Sequence, residues 1–63
     1  MNKKEIIKYG IEVFNNDKDK FNRWLKLENK SIGSKIPNDL LETEEGRNIV
    51  LDCLNRIEYG NFA

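Results

Sequence analysis

The chain has 63 residues, of which 38% are hydrophobic and 35% are charged, with 11 basic and 11 acidic side chains. This length allows one domain, and the apolar content, which includes three Phe, two Tyr and one Trp, is too high for a disordered tail. The absence of histidine and the single cysteine exclude a histidine-based site and an intrachain disulfide.

The net charge of zero hides an uneven distribution along the chain. The first 35 residues carry nine basic and five acidic side chains, whereas the remainder carries two basic and six acidic ones. Two oppositely charged pairs, Asp19 with Arg23 and Asp52 with Arg56, are spaced four residues apart in the order that stabilises helices. The charge asymmetry either steers a partner or simply marks two differently charged solvated faces.

The first segment of the chain predicts a helix over residues 3–14. Its apolar residues recur at helical spacing and form one stripe: Ile6, Ile7, Gly10, Val13 and Phe14. Gly10 weakens such a helix by about 1 kcal/mol relative to alanine, which indicates that another helix approaches closely there.

A second helix is predicted over residues 18–27, after a polar break at residues 15–17 that doubles as its N-cap. Phe21, Trp24 and Leu25 form its apolar face. The next segment, up to residue 36, is rich in Asn, Ser and Gly and is predicted to be a loop.

Two further helices are predicted in the second half. Proline suits the first turn of a short helix over residues 37–41, because its missing N–H is not needed there. Thr43 caps a last helix that runs to about residue 58, although Gly46 replaces the glutamate of a full capping box. Gly60 fits the left-handed conformation that ends many helices.

These patterns predict an all-α fold, a small single-domain bundle of about four short helices without strands. Cys53 falls on the apolar face of the last helix and is expected to be a small buried hydrophobe. The expected core consists of Phe14, Phe21, Trp24, Leu25, Leu41, Val50, Leu54 and Ile57.

The sequence contains few of the residue patterns that are typical of catalytic or metal-binding sites. There is no glycine-rich phosphate loop or cysteine pair, and a chain this short can hardly form the cleft that a carboxylate dyad needs. The acidic residues at 17 and 19 lack the ligand spacing of a calcium loop. We therefore expect no enzyme activity, no catalytic residue, no metal and no cofactor.

No apolar run reaches the roughly 18 residues of a membrane span, and no apolar segment follows the N-terminal lysines as in a signal peptide. Together with the single cysteine, this favours a cytoplasmic protein without a membrane partner.

Basic residues surround Phe21 and Trp24, and a basic surface with aromatic side chains is typical of proteins that bind nucleic acids. Those residues are Lys18, Lys20, Arg23, Lys26 and Lys30. Both aromatics lie on the side of Leu25, which predicts that they are core, and the net charge is zero. We expect no nucleic acid to be bound directly by this chain, and a DNA-binding accessory role stays as a further alternative.

The aromatic end of the chain has two interpretations. Tyr59 and Phe62 follow the predicted end of the last helix, so packing within that helix cannot cover both. One of them can fold back onto Ile57 or the first helix, or they can anchor an interface, because aromatics bury a large area at low entropic cost. The composition leaves both interpretations open.

A series of short motifs runs through nearly the whole chain: Val13-Phe14, Phe21-Asn22-Arg23-Trp24-Leu25, Ser31-Ile32-Gly33, Pro37-Asn38-Asp39-Leu40-Leu41, Thr43-Glu44-Glu45-Gly46 and Arg56-Ile57-Glu58-Tyr59-Gly60. In this order and spacing it resembles the Xre/MbcA/ParS-like antitoxin toxin-binding domain. Each motif is weak alone, and the combination is specific.

The resemblance implies a small all-helical domain, the C-terminal half of a bacterial type II antitoxin, which blocks a RES-domain toxin that depletes NAD. It also implies that the last helix and the C-terminal end lie against the toxin and obstruct its active site. Carried over residue by residue, the partner-binding candidates are Arg56, Glu58, Tyr59, Gly60, Asn61 and Phe62.

Family members usually carry an N-terminal helix-turn-helix DNA-binding domain, and here Met1 stands just before the toxin-binding region. We therefore expect residues 1–63 to be the toxin-binding-like domain alone, with the DNA-binding domain absent, as a stand-alone product or as a trimmed piece. One alternative is a self-associating helical domain, a homodimer that buries its last helix and tail. Another is an orphan antitoxin-like domain that has kept the fold but lost its toxin.

Overall fold

A computed structural model describes residues 1–60 of the chain. It contains four α-helices: α1 (Lys3–Val13), α2 (Lys18–Lys26), α3 (Pro37–Leu40) and α4 (Glu44–Glu58). The all-α prediction is confirmed, and the observed helices end at or one residue before the predicted ends. The expected loop also contains a short 3-10 helix, Lys30–Ile32. The part of the chain that is described has no strand beyond an isolated antiparallel bridge between Asn29 and Lys35.

The polar residues around α1 define where α1 and α2 begin. The side chain of Asn2 accepts a hydrogen bond from the Glu5 N–H at 2.8 Å, and the Asn2 N–H donates to Glu5 Oε1 at 3.0 Å. This capping box satisfies two donors that the helix itself leaves unpaired, and it was not foreseen. Asp17 caps α2 through its side chain, as predicted.

The core is one cluster of buried side chains to which α1, α2, α4 and the residue after α3 all contribute. It consists of Ile6, Phe21, Leu25, Leu41, Val50 and Leu54. Burial is therefore confirmed for five of the expected core residues, and also for Cys53, which is 4% exposed.

Phe14, Trp24 and Ile57 were also expected to be buried in the core. That prediction is wrong, because all three are only half-buried. Phe14 and Trp24 lie at the edge of the core, where their rings contact Phe21 with centroid distances of 5.6 and 6.1 Å. Ile57 lies in the final turn of α4, three residues after Leu54, the last fully buried residue of the helix.

Gly10 allows α1 and α2 to approach closely, as predicted. A Cβ at this position would lie 2.2 Å from Cε1 of Phe21, well inside van der Waals contact. The ring of the largest core residue therefore occupies the space that any other side chain at position 10 would need.

Gly46 has the corresponding role between α3 and α4. A Cβ there would lie 1.9 Å from the carbonyl oxygen of Leu40, which is backbone and cannot rotate away. The Thr43 hydroxyl accepts a hydrogen bond from the Gly46 N–H at 3.0 Å, which confirms the predicted cap.

Arg47 donates hydrogen bonds to the carbonyl oxygens of Leu41 at 3.0 Å and of Met1 at 3.2 Å. The first turn of α4 is thus attached to α3 and to the start of α1.

No helix within residues 1–60 has both the length and the apolar character that crossing a membrane requires.

We predict that Gly46→Ala destabilises the fold by about 2 kcal/mol, because the added methyl group overpacks a site whose neighbour is backbone. This loss should outweigh the gain of about 1 kcal/mol that alanine brings to a helix interior. Urea denaturation followed by circular dichroism measures the change. Asn48→Ala, an exposed position two residues further along α4, is the matched control and should be neutral or slightly stabilising. Equal stability of the two variants would contradict the proposed contact.

Candidate partner-binding surface

The partner-binding candidates within the described residues lie together at the C-terminal end of α4. Arg56 and Glu58 belong to the last turn, Tyr59 is the C-cap and Gly60 follows it. All four are exposed, and Tyr59 is 72% exposed. We call these four residues the C-terminal patch. The candidates Asn61 and Phe62 lie outside the described residues.

The backbone at the end of α4 turns sharply within two residues. The Tyr59 N–H donates to the Asn55 carbonyl oxygen at 3.0 Å, and the Gly60 N–H donates to the Ile57 carbonyl oxygen at 3.3 Å. Gly60 has a φ of 71°, the left-handed conformation predicted from the sequence, which costs glycine nothing. The helix therefore ends with its last carbonyl groups partly satisfied and with the Tyr59 side chain in solvent.

The charges of the patch are only partly balanced. Arg56 forms the predicted ion pair with Asp52 one turn earlier, and this carboxylate holds the pKa of Arg56 above its usual value. Exposed pairs of this kind add little to stability. The other predicted pair, Asp19 with Arg23, is not among the ion pairs of residues 1–60. Glu58 consequently supplies the negative charge of the patch.

Two members of the patch are placed at some cost to the stability of the fold. Glu58 places a carboxylate at the negative end of the α4 dipole, an arrangement that costs roughly 0.3–1 kcal/mol. Tyr59 leaves most of a large aromatic side chain in water. A large exposed aromatic beside a charged group at one helix end is typical of a binding surface.

A side-chain hydrogen bond that the sequence did not reveal ties α1 to this end of α4. The Tyr9 hydroxyl donates to Asn55 Oδ1 at 2.7 Å. Partial burial of the phenol, and then the neighbouring Glu58 carboxylate, raise the pKa of Tyr9 from 10.0 to about 12. The two bonded residues are 46 positions apart, so no local pattern could have indicated the contact.

We predict that Tyr9→Phe lowers the free energy of unfolding by about 1 kcal/mol at neutral pH, through loss of this hydrogen bond. The raised pKa means that the folded chain holds the Tyr9 proton more tightly than the unfolded chain. The wild type therefore keeps this contribution below about pH 10 and loses it as the pH rises towards 12. Denaturation series at several alkaline pH values should show the gap between wild type and variant closing. The two proteins share every other titrating group, so a constant gap would contradict this role of Tyr9.

Residues 1–60 thus form a small helical domain with an exposed aromatic side chain at the end of its last helix. Residues 10–60 match the antitoxin Xre/MbcA/ParS C-terminal toxin-binding domain, and the chain belongs to this family. The resemblance drawn from the sequence motifs is thereby confirmed.

Two curated relatives, both named Antitoxin Xre, show the same relationship. The protein from Photorhabdus laumondii is 34% identical over 55 residues, which cover 87% of this chain and 37% of the relative. The protein from Yersinia enterocolitica is 34% identical over 58 residues, which cover 92% of this chain and 39% of the relative. The chain thus spans less than two fifths of the length of these relatives. No solved structure matches it significantly.

Proposed function

We propose that this chain is the toxin-binding module of a bacterial antitoxin, that it neutralises a RES-domain toxin by covering the active site, and that it catalyses no reaction itself. Family membership supports toxin binding in general, and the curated relatives carry the name antitoxin. The observation that supports the assignment to the end of α4 is the exposure of Tyr59, which is 72% exposed and follows the Glu58 carboxylate at the helix end.

The proposed mechanism depends on a rigid α4. Its first turn is attached to α3 through the contact between Gly46 and the Leu40 carbonyl. Its last turns are attached to α1 through the hydrogen bond between Tyr9 and Asn55. A patch held at both ends of its helix loses little conformational entropy when it meets a partner. The anchoring contacts therefore raise affinity without touching the toxin.

Charge supports the same orientation. A pocket that binds an anionic dinucleotide such as NAD tends to be electropositive. Glu58 has a carboxylate at the end of α4, whereas Arg56 is already paired with Asp52. Counted together with Asp52, the end of α4 has two carboxylates against one guanidinium, and this negative charge would complement such a pocket and exclude the anionic substrate.

In this proposal Asn61 and Phe62 extend the contact beyond Gly60, and Phe62 adds a second aromatic anchor to Tyr59. The module acts in the cytoplasm, where a toxin that depletes NAD finds its substrate. It binds the toxin directly and makes no contact of its own with nucleic acid.

We predict that Tyr59→Ala weakens binding to the RES-domain toxin about thirtyfold or more, the loss typical of a central aromatic anchor worth about 2 kcal/mol. The unfolding free energy should change by no more than about 0.5 kcal/mol, because the side chain is exposed. Calorimetric titration of purified toxin with each variant measures the first effect, and urea denaturation measures the second.

Glu12→Ala, an exposed position on α1, is the control and should bind like the wild type. If Tyr59→Ala also binds like the wild type, the assignment to the C-terminal patch is wrong. If the wild-type chain itself does not bind a RES-domain toxin, the proposed toxin class is wrong.

A further inference from the structure

Two large apolar side chains away from the C-terminal patch are exposed on different helices. Leu27, the C-cap of α2, is 64% exposed, and Ile49 in the middle of α4 is 38% exposed. Single exposed apolar residues need no explanation, but the surroundings of these two are of opposite charge.

Leu27 belongs to a shallow depression of about 350 Å³ that α2 forms with the residue after α1, and we call it the α2 depression. Its apolar lining comes from Phe14, Trp24 and Leu27, and its basic lining from Lys20 and Arg23. Both basic residues are exposed, and neither takes part in an ion pair within the described residues. The depression therefore has an apolar floor and two basic side chains at its rim.

Ile49 has the complementary surroundings on α4. Glu45 lies four residues before it and Asp52 three residues after it, so both carboxylates share its face of the helix. Asp52 is shared with Arg56, while Glu45 forms no ion pair in the part of the chain that is described. An exposed branched side chain is thus flanked by negative charge.

We propose that a second copy of this chain docks Ile49 into the α2 depression of the first. In this contact Lys20 and Arg23 of one copy face the carboxylates beside Ile49 of the other. The proposal goes beyond the toxin-binding function and does not rest on it, because the toxin contact is assigned to the end of α4.

The charges favour contact between unlike surfaces. If two α2 depressions met, Lys20 and Arg23 of one copy would face the same basic residues of the other. If two Ile49 faces met, carboxylates would face carboxylates. Both arrangements place like charges together. The unlike pairing places the basic rim of one copy against the carboxylates of the other, which makes the contact heterologous, or head-to-tail. A domain of this size also buries only about 60% of its extended surface, so added burial stabilises it appreciably.

Both surfaces are available in one molecule. Helices α2 and α4 pack mainly against α1 and α3 rather than against each other. A head-to-tail pair leaves Ile49 of one copy and the α2 depression of the other unused, so the assembly either closes into a ring or grows with concentration.

The test is sedimentation velocity of the purified chain over a micromolar to millimolar range, with Leu27→Asp and Ile49→Lys as single variants. The wild type should exceed the one-chain mass of 7.4 kDa increasingly with concentration. Each variant should stay at the one-chain mass, since it has lost one of the two complementary surfaces. An equimolar mixture of the two variants should form a species of two chains and nothing larger, because only one intact pair of surfaces remains.

Circular dichroism and urea denaturation check that both variants are folded, as expected for exposed positions. A wild type that stays at the one-chain mass throughout overturns the proposal. So does self-association of either variant alone, which would indicate a symmetric contact or another surface. A mixture that remains at the one-chain mass overturns it as well.

Discussion

The close approach of the Leu40 carbonyl to Gly46 is the constraint on which the rest of the structure depends. It fixes where α4 leaves α3, and Arg47 strengthens the junction by holding the Leu41 and Met1 carbonyl oxygens. Because α4 is one uninterrupted helix from Glu44 to Glu58, its starting angle determines where its other end lies. The buried positions of Val50 and Leu54 follow from the same angle.

The far end of α4 is where the proposed function places the toxin. The hydrogen bond from Tyr9 to Asn55 holds the last turns against α1, yet the residues just beyond are left in solvent. Glu58 lies at the unfavourable end of the helix dipole, and Tyr59 contributes little buried area. A domain with so small a core has little stability to spare, so these placements are consistent with selection for binding rather than for folding.

The sequence predicted the helices well, because apolar periodicity and caps are local signals. The Thr43 cap and the left-handed Gly60 were both readable in this way. Periodicity identifies the inward side of a helix but not the edge of the core, which is why Trp24 and Ile57 were expected to be buried and are only half-buried.

Gly46 could be recognised as a missing capping-box glutamate, but its contact with Leu40 depends on the angle between two helices. The bond between Tyr9 and Asn55 is non-local and had no signal at all. The patch residues came from family resemblance, and their shared exposure at one helix end came from the structure.

The central claim is that this module meets its toxin with the end of α4. Hydrogen–deuterium exchange of the chain, alone and in complex with a RES-domain toxin, tests it most directly. We expect the toxin to slow exchange at the amides from position 56 to the C-terminus and to leave exchange in α2 unchanged. Slower exchange confined to α2, with the end of α4 exchanging as in the free chain, would contradict it.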